Sequence, residues 1–315
     1  MEFSDKIYVA GHNGMVGSAI TRNLIANGYQ NIVFRSSSQL DLRNQAAVLD
    51  FFENEQPQYV FLAAARVGGI HANNVYRASF LYDNIVIAAN VIEAAYRFNV
   101  KKLLFLGSTC IYPKFSAQPI REEYLLTGEL EQTNEPYAIA KIAGVKLCES
   151  YCDQYGANFI SAMPTNLYGT GDNYHSENAH VLPALIRRFH EAQKNGDKQV
   201  VVWGSGRPKR EFLFADDLAD ACVFLMNNYN QRSTINVGSG EEISIAALAG
   251  LVKKVTQFEG DIVFDSSRPD GTPRKLADVT KIHNLGWHHM TMLEDGIYSA
   301  YRDFLSRYEP STPAI

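Results

Sequence analysis

Short apolar runs and longer helical patterns alternate through the first half of the chain. Lys6–Ala10, Ile32–Arg35, Tyr59–Ala64, Lys102–Leu106 and Phe159–Met163 are apolar runs of strand length. Between them, Gly14–Asn27, Gln45–Asn54, Arg77–Phe98 and Tyr137–Tyr155 place apolar residues at helical spacing, and Gly28 and Gly156 stop the first and last of these. Strands alternating with helices imply right-handed crossovers and a parallel sheet covered on both faces. We therefore expect an α/β fold built on a Rossmann-type, doubly wound parallel sheet.

The rhythm changes near Pro164. Gly169–Asn178 is a polar loop, followed by a helix at about Leu182–Asn195, a strand at Gln199–Trp203 and a loop at Gly204–Arg210. Asp216 or Asp217 can cap a helix that runs to Met226. Residues 238–315 supply short elements and a terminal helix near Leu293–Tyr308. This half reads as a smaller, mostly C-terminal domain laid over the first.

Composition narrows the class. With 46% hydrophobic residues in 315, a large core can be buried. A net charge of −5 gives no electrostatic case for nucleic-acid binding. Four cysteines, Cys110, Cys148, Cys152 and Cys222, imply no disulfide framework and fit a reducing compartment. No apolar run approaches the ~20 residues of a membrane span, and MEFSDKIYVAG has no basic region followed by an apolar core, so no signal peptide is expected. We expect a cytoplasmic protein with no membrane partner. No histidine spacing calls for a metal.

The sequence "VAGHNGMVGSAI" puts Gly11, Gly14 and Gly17 directly after the first strand and at the start of the first helix. Such glycines permit a tight turn and close approach to a pyrophosphate, and the helix N-terminus offers free N–H groups to the anion. After the second strand, "VFRSSSQLDL" places Arg35 and Ser36–Ser38 where an NAD enzyme usually carries a carboxylate; none appears until Asp41. That favours NADP, whose 2′-phosphate calls for a cation. "FLAAARVGGI" adds the small residues Ala63–Ala65, which suit a backbone passing close to a cofactor and suit core packing nearly as well.

"EPYAIAK" gives Tyr137 and Lys141 at i and i+4, on one helix face. A phenol titrates near ~10, too high for efficient proton exchange at neutral pH. A neighbouring ammonium lowers that value, so Lys141 is expected to acidify Tyr137. With Ser108 after the fourth strand, these residues would polarise a carbonyl beside a nicotinamide. The set resembles the extended short-chain dehydrogenase/reductases, as does "REFLFADDLADA" downstream.

A closer resemblance covers nearly the whole chain. "GHNGMVGSAI", "AAARVGGIHANN", "LLFLGSTCIYPK", "TNEPYAIAKIAGVKLCESY", "MPTNLYG", "HVLPALIRRFHEA", "VVWGSG" and "RPDGTPRKL" are similar to the GDP-L-fucose synthase family. That family epimerises C3 and C5 of GDP-4-keto-6-deoxy-D-mannose and then reduces the C4 ketone with NADPH. The resemblance implies Cys110 as epimerisation base and His180 as acid, with Arg188, Trp203, Arg210 and Asp270 contacting the GDP-sugar. It also implies a homodimer formed by the long helices. The chemistry is coherent: a C4 ketone acidifies the C3 and C5 protons, and inversion needs a base on one face and an acid on the other. A small buried thiol remains the ordinary state of a free cysteine, and a helix-start histidine can bond only locally.

We expect NADP(H) to be held by Gly11, Asn13, Gly14, Met15, Val16, Gly17, Arg35, Ser36, Ala63, Ala64, Leu106, Gly107, Lys141, Pro164, Asn166, Leu167 and His180. The domains are expected as an NADP-binding unit over 1–164, with a returning segment near 211–237, and a mainly substrate-binding unit over 165–315. One departure stands out. The family often carries a second cation just beyond Arg35 or in the glycine turn, where this chain has Ser37 and Asn13. The residues taken alone reach only an NADP-dependent reductase or epimerase of a nucleotide sugar. They leave open an epimerase or dehydratase that keeps its cofactor, and a non-catalytic NADP sensor.

Overall fold

The computed structural model describes residues 1–175, 178–267 and 270–308. Arg268 and Pro269 of the "RPDGTPRKL" stretch, and 309–315 of the expected second domain, lie outside the described residues. The first part runs β1 (Ile7–Ala10), α1 (Met15–Ala26), β2 (Ile32–Val33), α2 (Gln45–Glu55), β3 (Tyr59–Leu62), α3 (Ile70–Val75), α4 (Arg77–Arg97), β4 (Lys102–Leu106), α5 (Glu135–Tyr155) and β5 (Phe159–Pro164). There follow β6 (Asn166–Tyr168), α6 (Val181–Asn195), β7 (Gln199–Trp203), β8 (Lys209–Phe214), α7 (Ala215–Asn228), β9 (Ile235–Val237) and β10 (Glu242–Ser244). The chain ends with α8 (Ile245–Thr256), β11 (Asp261–Asp265), β12 (Arg274–Lys275), α9 (Thr280–Asn284) and α10 (Leu293–Tyr308).

The main sheet has the order β2-β1-β3-β4-β5-β9, and every neighbouring pair is parallel. The chain leaves β1 toward β2 and then returns to lay β3 on the other side of β1, which opens a crevice at the carboxyl ends of these strands. Strand pleating divides the core. Ile7 and Val9 face one side, with Ile20 and Leu24 of α1 and Leu218 and Cys222 of α7. Tyr8 and Ala10 face the other, with Phe52, Val91, Phe105 and Val145. Each large buried side chain here contributes about 1.5–3 kcal/mol by leaving water.

The second part builds its own core from Tyr168, Leu182, Phe189, Val200, Leu248 and Ile297, under α6, α8 and α10. β8 is its central strand, flanked by β10 and β12 and paired with β6. The chain then crosses back: α7 packs on α1, and Ile235 of β9 pairs with Ala162 of β5.

Three local expectations change. β2 ends at Val33 and β3 at Leu62, so Arg35 and Ala63–Ala64 lie beyond the strands; Ala63 N–H still donates to the Ala10 carbonyl at 3.0 Å, and Ala64 packs against Gly11. The stretch read as the loop Gly204–Arg210 contributes its last two residues to β8. The helix after it is capped by Phe214, which is extended, while Asp216 and Asp217 sit in the first turn. There they complement the helix dipole rather than cap it. Among the described residues no helix is long and apolar enough to cross a membrane.

Candidate active site

A cleft of about 2110 Å³ separates the two parts and passes over the carboxyl ends of β1, β3 and β4. Every residue singled out from the sequence for the site lines it, from Gly11 at one end to Asp270 at the other.

At the glycine turn, Gly11 has φ +89°, in the left-handed region that favours glycine. A Cβ there would lie 2.7 Å from the Ala64 nitrogen, and one on Gly17 would lie 2.1 Å from the Gly11 carbonyl oxygen. Strand, turn and helix therefore pack without room for a methyl group. Gly14 caps α1 with no side-chain hydrogen bond, and the first turn of α1 holds no carboxylate. The α1 N-terminus thus presents its N–H groups to the cleft, where an anion is favoured. These residues fit a dinucleotide pyrophosphate.

At the end of β2 the structure adds a partner the sequence did not reveal. Arg35 donates from Nη2 to Glu55 of α2 at 2.5 Å and stacks over Phe51 at 5.4 Å. Ser36 and Ser38 share a hydroxyl contact at 2.9 Å. Arg43 and Arg66 line the same end, and sequence reasoning missed both. Arg43 is held by Asp41 and Asp83, and Arg66 by Asp83 at 2.9 Å.

The chemical centre lies where β4 ends. Ser108, extended at φ −169°, caps the short turn Thr109–Ile111, and its Oγ accepts the Cys110 N–H at 3.3 Å. Lys141 is almost fully buried and donates from Nζ to the Leu106 carbonyl at 2.6 Å. It gets this close because Gly144, one turn on, lets α5 press against the Phe105 ring: a Cβ there would meet the ring at 2.4 Å. Burial drives the Lys141 ammonium down to about 8, partly offset by Cys110. Tyr137 lines the cleft with its hydroxyl bonded to no described residue. Lys141 Nζ stands 5.7 Å from its ring centre. The expected acidification by Lys141 is not seen here: burial pushes the phenol above its ordinary value, and Cys110 pushes it the same way.

Cys110 is partly buried. Burial pushes its thiol up, opposed first by Lys275 and then by the Ser108 hydroxyl and Lys141. His180 precedes α6 as its cap residue, without a side-chain capping bond. Its ring is open to the cleft yet crowded by protein, so desolvation lowers its pKa, and the Lys275 charge adds to that. Lys275 is therefore a cleft residue that the sequence reading passed over within "RPDGTPRKL".

The far wall holds the remaining candidates. Arg188 lies over the Trp203 ring at 5.4 Å and donates to the Val201 carbonyl at 2.7 Å. Arg210 donates to the Lys209 carbonyl at 2.8 Å. Burial lowers both guanidinium values, and neither makes a carboxylate contact among the described residues. Asp270 accepts from the backbone and hydroxyl of Ser205 at 2.8 and 2.6 Å, which holds its carboxyl below the usual range. Two cations beside a broad indole suit a nucleoside diphosphate. Among the described residues no group of His, Cys, Asp and Glu could hold a metal ion.

Comparison with known proteins agrees with this geometry. The pattern of the NAD dependent epimerase/dehydratase family matches residues 7–238. The chain is 58% identical to GDP-L-fucose synthase 1 of Arabidopsis thaliana over 302 residues, 96% of this chain and 94% of that one. It is 53% identical to the GDP-L-fucose synthase of Escherichia coli over 313 residues, 96% of this chain and 98% of that one. Among solved structures, the NADP-bound GDP-L-fucose synthetase of Naegleria fowleri superposes with a TM-score of 0.91 at 34% identity, over 99% of this chain and 97% of that chain.

Proposed function

The chain belongs to the NAD dependent epimerase/dehydratase family and, within it, to the GDP-L-fucose synthases; from that premise we propose that it converts GDP-4-keto-6-deoxy-D-mannose to GDP-L-fucose by inverting C3 and C5 and reducing C4. The observation that carries the reading is the company Cys110 and His180 keep. Both line the cleft that also holds Ser108, Tyr137 and Lys141. A ketone reductase needs one proton donor at C4; a base and an acid beyond it are what two inversions require.

NADPH, when bound, supplies the hydride that reduces C4. The glycine turn and the bare α1 terminus hold its pyrophosphate, Arg35 and Ser36 its 2′-phosphate, and Ala63, Ala64, Pro164, Asn166 and Leu167 line its path. Arg188 and Arg210 take the diphosphate of the sugar nucleotide, Trp203 gives it an apolar face, and Asp270 fixes its far end. Ser108 and Tyr137 hold the C4 oxygen. Cys110 takes the proton from C3 or C5, and His180 returns one on the opposite face. Tyr137 then gives its proton to the C4 oxygen, with Lys141 stabilising the phenolate left behind.

Residues 1–164 with the return near 211–237 form the NADP unit, and 165–315 mainly the substrate unit. The protein works as a homodimer in the cytoplasm. Tyr82 of α4 and Ile139 of α5 are exposed at 65% and 42% on adjacent packed helices, which supports pairing there. Four free thiols support a reducing compartment. The decisive test incubates the protein with NADPH and GDP-4-keto-6-deoxy-D-mannose and identifies the product. GDP-L-fucose with matching NADPH consumption is expected. A product that keeps the manno configuration at C3 and C5, or turnover without NADPH consumption, overturns the reading.

A further inference from the structure

Lys275 has no part in the scheme above, yet its surroundings set it apart from the other cations nearby. β12 is a two-residue strand fixed on every side. Lys209 N–H donates to the Pro273 carbonyl at 2.9 Å, Leu276 N–H to Gln118 at 2.9 Å, and Ala277 N–H to Glu211 at 2.8 Å. Lys275 stands opposite Arg210 in the parallel register of β12 and β8. Paired residues of neighbouring strands share a face, and both of these line the cleft. Arg274, on the opposite face, is bound to Glu242 at 2.6 Å, which also takes Lys209 at 3.0 Å.

No carboxylate neutralises Lys275. Burial lowers its ammonium value, and the Arg210 charge adds to that; Cys110, Glu131 and Glu211 oppose it. Glu131 is engaged with Thr133 and Lys114. Glu211 is fully buried and accepts from the N–H groups of Gly240 and Ala277. The Lys275 side chain makes no ion pair or hydrogen bond to a described residue. It lines the same cleft as Cys110 and His180, and its charge acts on both.

We infer that Lys275 is a positioning residue for the epimerisation half-reaction: its unpaired ammonium favours the thiolate form of Cys110 and makes His180 readier to release a proton. The inference rests on the proposed roles of Cys110 and His180. In the step it serves, the thiolate takes a proton from C3 or C5, and the electron pair of that C–H bond moves into the enolate with C4. A protonated His180 then delivers its proton to the same carbon from the other face. Thiol and neutral imidazole remain, and the ammonium of Lys275 is unchanged. A cation favours the charged form of the base and the uncharged form of the acid, which is the direction of transfer at both atoms. Lys141 also acts on Cys110, but it is bonded to Leu106 and serves Tyr137. Because desolvation raises its thiol, Cys110 needs a nearby cation to act near neutral pH.

The test reads Cys110 directly. The pH dependence of its alkylation by iodoacetamide is followed in the full-length protein and in Lys275→Met, with Cys110→Ala as blank. Exchange of the C3 and C5 protons with deuterated water is measured beside hydride transfer from GDP-L-fucose to NADP+. Removing an opposite charge from within about 4–6 Å moves a pKa by about one unit or more. We expect the alkylation midpoint of Lys275→Met to rise by at least that, the thiolate fraction at neutral pH to fall about tenfold, and exchange to fall by more than hydride transfer. Lys275→Arg should restore most of both. An unchanged midpoint overturns the inference, whether activity is kept or is lost equally in both half-reactions. Should Lys275→Met fail to fold, Lys275→Gln carries the same comparison. Failure of the underlying reading looks different: Cys110→Ser would then exchange both protons at the wild-type rate.

Discussion

Arg35 is held by Glu55, with the guanidinium and carboxylate 2.5 Å apart. The cation expected to read the 2′-phosphate therefore already has a carboxylate on it. Glu55 also takes Lys6 at 3.3 Å, so its charge is shared. A charge-assisted hydrogen bond to phosphate is worth about 1.5–3 kcal/mol, and the competing pair leaves the lower part of that range. We expect NADPH to be preferred to NADH by about tenfold, with the preference shrinking in high salt. Glu55→Gln should widen it, and Arg35→Ala should remove it. Calorimetric titration of both cofactors checks this; equal losses for NADPH and NADH in Arg35→Ala would place phosphate reading elsewhere, with Arg43 the next candidate.

Cys110→Ser should separate the two chemistries. Ser108, Tyr137 and Lys141 remain in place, so some direct C4 reduction of the unepimerised sugar continues. Wash-in of deuterium at C3 and C5 should drop by at least about a hundredfold, the usual worth of a positioned acid or base. Mass spectrometry of the recovered sugar nucleotide gives both readings at once.

Lys141 sets a pH limit on reduction. Its folded value is about 8, below the ordinary ammonium value, because burial disfavours the charge. The group is protonated below that pH and loses its charge above it. Single-turnover hydride transfer at saturating NADPH should therefore fall as pH rises through about 8. A rate that stays level to pH ~10, where an ordinary lysine titrates, would remove Lys141 from the step. Lys141→Met should be slow at all pH values and should also bind cofactor more weakly.

Gly17→Ala tests the turn itself. The added methyl would lie 2.1 Å from the Gly11 carbonyl, with backbone rather than a side chain obstructing it. Overpacking of this kind costs about 1–3 kcal/mol. The variant should melt lower and lose most of the thermal shift that NADPH gives the parent protein. An unaltered NADPH shift would mean that the α1 terminus does not hold the pyrophosphate.

What the sequence made legible was local. Strand, turn and helix around Gly11, Gly14 and Gly17 are contiguous, and Tyr137 and Lys141 share a helix face by spacing alone. β8 was hidden because it breaks the apolar pattern that marks a strand. It starts with Lys209 and Arg210 and then buries Glu211, whose charge is met by distant N–H groups rather than by neighbours in sequence. The pair of Arg35 with Glu55 depends on how α2 lies against β2, and the place of Lys275 depends on the register of β12 against β8. Neither follows from a motif, since each is a contact between elements that only packing brings together.

The return of α7 and β9 to the first sheet has a consequence for anyone who would cut this chain. A fragment stopped at Pro164 would leave the β5 edge bare where Ile235–Val237 pair with it. It would also strip the apolar cover from α1 that Leu218 and Cys222 provide. The order of the gene and the order of assembly therefore differ: the first lobe cannot finish folding until the ribosome has delivered residues well into the second. A substrate module could not be traded between relatives as a cassette joined at one point. A working chimera would have to exchange the cleft-lining loops, such as those carrying Gly206 and Gly271–Pro273, and leave both crossings intact.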